Sequence, residues 1–148
     1  MASKQLETLY KFEKDKEMKA AMALQAAEQD YQQNLQRMSS VSEYRLEYMK
    51  RLEQRSLIGI DSATYAHFHA FVAKLDQAGE QVKIAMQQSK ALVEQKKALW
   101  MRQRQKIQAV EVLKDKWDQK QKLKENRKEQ AMFDEIATQQ YVRRNLNM

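Results

Sequence analysis

His67 and His69 are the first residues of this chain to test for chemistry. A metal site needs ligands that converge, and histidines at i and i+2 of a helix point to different sides. The chain has no cysteine, so neither a thiolate ligand nor a disulfide can form. No acidic cluster completes a set, and the pair reads as ordinary surface histidine. Ser39, Ser40 and Ser42 carry hydroxyls but have no base nearby to activate them. The two glycines build no phosphate-cradling loop. The expectation is a protein that is not an enzyme and uses no cofactor and no metal.

What remains is the chemistry of recognition. Tyr44 and Tyr48 lie one helical turn apart, and Phe71 and Leu75 repeat that spacing beyond Gly59. This is either plain coiled-coil core or an aromatic contact patch. Trp100 and Trp117 sit in a basic stretch. Lys90 to Lys128 holds 13 basic and 5 acidic residues, whereas residues 1–56 hold 10 and 9. The net charge of +7 therefore belongs to one segment. Nucleic acid, an acidic membrane surface and an acidic protein are all partners open to such a segment. The tryptophans could stack on bases between phosphate contacts. The favoured alternative turns them inward and leaves Lys, Arg and Gln in water, since no nucleic-acid module signature is present.

The elements that position these groups follow from composition. The 148 residues include no proline and two glycines, and 32% are charged. Sheets and loops need turn residues that this chain lacks. Breaker-free polar chains form long helices or coiled coils. Hydrophobic residues at 43% argue against disorder. No stretch approaches the roughly 18 apolar residues of a membrane span. No signal-peptide core follows Met1, so a location inside the cell is expected.

Alternating steps of 3 and 4 from Phe68 reach Trp117 and Lys120, and eleven of those sixteen positions are apolar. That is a coiled-coil seam. A flanking row adds Val72, Met86, Val93, Trp100 and Ile107. A second stripe runs Leu24, Ala27, Tyr31, Leu35, Met38, Val41, Tyr44, Tyr48 and Leu52. Between the stripes stands RSLIGIDSATY, residues 55–65. Gly59 suits a helix C-terminus, and Asp61 or Ser62 suits an N-cap. Leu57, Ile58 and Ile60 are expected to cover the bend. The expected fold is all-α, an antiparallel two-helix coiled-coil hairpin in one domain over residues 1–148. Helix one spans about 4–56, the turn about 57–61, and helix two about 62–140. Residue i should face roughly position 118 − i, which leaves everything after about Trp117 without a partner in the chain.

Four stretches resemble the FliJ family of flagellar export proteins, of the bacterial type III export apparatus. They are VSEYRLEYMKRL (41–52), YAHFHAFVAKLDQAGEQV (65–82), WMRQRQKIQAVEVLKDK (100–116) and ENRKEQAMFDEIA (125–137). The resemblance implies a coiled coil like the central stalk of rotary ATPases. It implies association with the hexameric export ATPase, a link to the C-terminal cytoplasmic region of the membrane export gate, and handling of export chaperones. It places Tyr44, Tyr48, Phe71, Leu75 and Ala78 on a gate-binding face. It places the ATPase contact on the basic and C-terminal parts of helix two: Arg102, Arg104, Lys106, Lys114, Glu125, Asn126, Glu129, Gln130, Asp134 and Glu135. It implies a cytoplasmic protein, peripheral to the inner membrane at the flagellar base. The alternative is a basic coiled-coil arm that binds nucleic acid.

Overall fold

The computed structural model describes residues 2–147. They form two helices, α1 (Ala2–Ile58) and α2 (Ser62–Leu146), and among the described residues there is no strand. The fold is all-α, and the second helix is the longer. Both helices overrun the expected limits, α1 by two residues at each end and α2 by six at its end. Exposed helix ends with no proline have nothing to stop them sooner.

The break is as short as the residues allow. Gly59 closes α1 with its N–H bonded to the Arg55 carbonyl at 3.1 Å. It adopts φ +103°, a conformation other residues rarely take. Asp61, not Ser62, is the cap of α2. Its Oδ1 accepts from the Thr64 N–H at 3.0 Å. Hydrogen bonds from the Thr64 side chain and from this backbone N–H hold the Asp61 carboxyl below its ordinary value of 3.8. Leu57 and Ile58 do not cover the bend as expected. They are 85% and 88% exposed. Of the three, only Ile60 is half-buried.

The described chain divides into two compact units, each with a part of both helices. The turn unit is Glu17–Arg102 and the terminal unit is Met1–Lys16 with Gln103–Met148. In the turn unit the helices pair antiparallel, with Asn34 against Ser89 and Arg45 against Asp76. The α1 side of the seam is Ala20, Leu24, Ala27, Tyr31, Asn34, Met38, Val41 and Tyr48, closed by Leu52. Asn34 therefore stands where Leu35 was expected to lead, and Tyr44 lies outside the seam. On α2 the seam runs Val72, Leu75, Gly79, Val82, Met86, Ser89, Val93, Lys96 and Trp100. The expected flanking row is thus half of the true seam, and Leu92 and Leu99 are exposed at 40% and 44%. Two ladders of 3 and 4 share every seventh residue, so periodicity alone does not separate them. Gly79 helps decide the phase. A Cβ there would lie 3.6 Å from Val41 Cγ1, so α1 passes close by.

In the terminal unit the pairing is antiparallel again. Leu6 and Tyr10 are half-buried with Glu13 on α1, opposite Gln103, Ile107, Val110, Lys114 and Trp117 on α2. Ile107 and Val110 form the buried core, at 5% and 6% exposure. Gln103 donates through Nε2 to the Glu13 carbonyl at 2.9 Å and to its carboxylate. Gln121 is the last half-buried residue of α2, and 122–147 are exposed throughout. The expected loss of a partner after about Trp117 is where the pairing ends.

Candidate functional site

The aromatic residues of the stretches 41–52 and 65–82 meet in the turn unit. Tyr48 is half-buried between two phenylalanines, with ring centroids 5.0 Å from Phe68 and 4.4 Å from Phe71. Tyr44 lies 6.2 Å from Phe71 but is 53% exposed. The cluster is therefore graded. Phe68 is core, Tyr48 and Phe71 form its wall, and Tyr44 is its outward edge. Leu75 and Ala78 are half-buried and continue along α2 in the seam or beside it. The sequence pattern places Phe68 only in the seam, yet it anchors the cluster. Its spacing to Tyr48 across the bend was the available signal.

Charge borders the cluster on both sides. Arg45 Nε binds Asp76 Oδ1 at 2.6 Å, with both side chains about half exposed. Arg55 lies over the Phe68 ring at 5.6 Å. An open groove of about 650 Å³ runs past Tyr48 and Phe68 and is lined also by Arg51, Ile58 and His67. His67 faces this groove, whereas His69 sits edge-on to Tyr65 at 4.6 Å. Among the described residues, no group of three or more His, Cys, Asp or Glu could hold a metal. Arg102 is exposed in this unit, and Trp100 is half-buried in the seam.

The terminal unit holds the other candidate residues, and helix geometry sorts them. Arg104 and Lys106 are exposed. Lys114 instead turns toward α1, its Nζ 4.7 Å above the Tyr10 ring. Trp117 is half-buried in a cleft with Leu6, Glu7 and Lys114. An indole held there does not offer its faces for stacking.

Glu125, Asn126, Glu129, Gln130, Asp134 and Glu135 are all exposed. At about 100° per residue, the first four share one side of α2 with Phe133 and Ile136. Phe133 and Ile136 are 69% and 46% exposed. Asp134 and Glu135 fall outside that side. The positions that would continue the α1-facing seam are Lys124, Lys128, Ala131 and Glu135, which are mostly polar. The apolar residues have moved to a different side, so this segment is not built to pair with α1. Among the described residues, the grooves along the two units are open to solvent, and such surfaces suit protein contact. Among the described residues no helix is long and apolar enough to cross a membrane.

Comparison with known proteins gives one consistent result. The family model described as flagellar FliJ protein matches residues 2–146. A flagellar FliJ protein from Salmonella typhi is 27% identical over 139 residues, covering 94% of this chain and 95% of that protein. No solved structure matches the chain significantly.

Proposed function

The chain belongs to the FliJ family and is a component of the flagellar export apparatus, and from that premise we propose that it acts by joining partners rather than by chemistry. One partner is the hexameric export ATPase, with which it associates as a stalk-like factor. The second is the C-terminal cytoplasmic region of the export gate protein. Export chaperones, handled between rounds of substrate delivery, are the third. The protein then works in the cytoplasm, held peripherally at the inner membrane by the apparatus, and its loss impairs motility.

The observation that carries this reading is the exposed edge of the aromatic cluster. Tyr44 touches Phe71 while more than half of its surface stays in water. A ring needed only for the seam would be buried as Phe68 is. An exposed tyrosine on a preformed aromatic wall is the composition of a protein–protein hot spot. We assign the gate contact to Tyr44, Tyr48, Phe71, Leu75 and Ala78. Tyr44 and Phe71 present the accessible surface, and Tyr48 supports them from behind.

The ATPase contact is assigned to the terminal part of α2. Glu125, Asn126, Glu129 and Gln130 give its polar rim, with Phe133 and Ile136 as its apolar centre. Arg104, on the same side of α2, adds exposed positive charge, which makes that part of the contact salt-sensitive.

Calorimetric titration of the purified chain against the gate protein's cytoplasmic region tests the first assignment. Tyr44→Ala should weaken binding about tenfold or more, the scale of a hot-spot residue. Its melting midpoint should stay near that of the parent. Undiminished gate affinity in Tyr44→Ala would overturn the assignment. Phe133→Ala with Glu129→Lys should leave gate binding intact and reduce capture of the ATPase.

A further inference from the structure

Between Gln103 and Gln130 the carboxylates of α2 keep to one side, shared with Arg104 and Lys122, while most of the cations keep to another. Glu111, Asp115, Asp118, Glu125 and Glu129 fall within an arc of about 80°. Lys106, Lys116, Lys120, Lys124, Arg127 and Lys128 fall within an arc of about 120° on another side. All six cations are exposed. Lys116, Lys120, Lys124 and Lys128 follow one another every four residues, or about 6 Å along the helix. Two apolar side chains belong to the same side. Leu113 lies within the basic arc and Leu123 at its edge, 51% and 56% exposed. Neither has a place in the α1-facing seam.

We propose that this basic side of α2 lies directly against an anionic phospholipid surface. A planar negative surface attracts every cation that faces it and requires the carboxylates to face away, which is the sorting seen here. Clusters of four to eight Lys or Arg on one side of a helix are suited to anionic headgroups. Lysine stems reach from the helix to the phosphates, and Leu113 and Leu123 enter the headgroup boundary between them. Nucleic acid fits the side less well. No exposed aromatic lies in the arc between Lys106 and Lys128 to stack on a base. The contact is the chain's own and requires no other protein of the apparatus.

Cosedimentation of the purified full chain with vesicles tests it. One set is phosphatidylcholine alone, and the other has about a third phosphatidylglycerol. The chain should pellet with the anionic set, and this binding should fall steeply with salt. Lys116→Gln, Lys120→Gln, Lys124→Gln and Lys128→Gln together should weaken it several-hundredfold at low salt, since each lysine near the surface is worth about fivefold before screening. Lys50→Gln, Lys74→Gln, Lys83→Gln and Lys90→Gln remove the same charge from exposed positions elsewhere. That control should bind within about threefold of the parent. Leu113→Gln with Leu123→Gln should also weaken binding several-fold. It keeps the proposal testable if the first variant loses helicity by circular dichroism.

Equal losses in the two lysine variants would overturn the proposal in favour of net charge alone. So would equal binding to both vesicle sets, or full binding by the leucine variant. Lysine-dependent binding to an oligonucleotide, with the vesicles left unbound, would overturn it in favour of nucleic acid.

Discussion

Tyr48 and Tyr44 differ by one helical turn and should differ sharply in what their removal does. Tyr48 is half-buried and touches two rings, at 5.0 and 4.4 Å. Truncating a fully buried aromatic to Ala costs about 3–5 kcal/mol, so half burial brings this to about 2 kcal/mol. Two tilted ring contacts add about 0.5 kcal/mol each. Tyr48→Ala should therefore lose about 2–3 kcal/mol. Tyr44 has one contact at 6.2 Å and is 53% exposed. Its truncation should cost under about 1 kcal/mol. For a chain of this size each kcal/mol moves the melting midpoint by roughly 2–4 °C. Tyr48→Ala should melt about 5–10 °C lower and Tyr44→Ala at most a few degrees lower. The assay is thermal melting followed by circular dichroism at 222 nm, with gate titration well below both midpoints. Tyr44→Ala should then weaken gate binding at little cost in stability, whereas Tyr48→Ala should lose stability whether or not the gate is present. Equal melting shifts in the two variants would refute the graded cluster.

The remaining predictions concern the seam and the turn. Asn34 is 5% exposed and donates to Ser89 Oγ at 3.1 Å. Asn34→Ala should cost about 1–3 kcal/mol. A cycle with Ser89→Ala should show about 1 kcal/mol of coupling in denaturant unfolding, because the first change already removes the shared bond. Asn34→Leu should raise self-association in sedimentation, since a buried polar pair restricts which helices can match. Gly59→Ala should destabilise by about 1–2 kcal/mol, and Gly59→Asn by less. At φ +103° the penalty is conformational, and an added Cβ meets nothing within 4 Å. Asp61→Ala should lower the melting midpoint at neutral pH. The folded pKa of Asp61 is lowered, so its stabilisation is present above the ordinary value of 3.8 and disappears as pH falls through the folded value. The melting curves of parent and variant should therefore converge in strong acid.

Local rules were enough for the architecture. The absence of proline, the placing of Gly59 beside Asp61 and the two stripes near period 3.5 set the number of helices, their antiparallel pairing and the mirror relation of residues about the bend. They also set the point beyond which α2 has no partner, because that depends only on where the bend lies and how long α1 is. The meeting of Tyr48 with Phe71 follows from the same relation.

Other features depended on the packed helices. Two ladders through α2 share every seventh residue, and their alternate positions are both largely apolar. The close approach of α1 at Gly79 helps to put Trp100 inside and to leave Leu92 and Leu99 outside. The grading of the aromatic cluster has the same origin: Arg45, which pairs with Asp76, takes the seam direction beside Tyr44, so Tyr44 faces water. The sides of the terminal α2 segment were implicit in its spacing, but their availability was not. Periodicity states which residues share a side, whereas exposure depends on what lies against that side. Only the folded chain shows that these sides are left uncovered from 122 to 147.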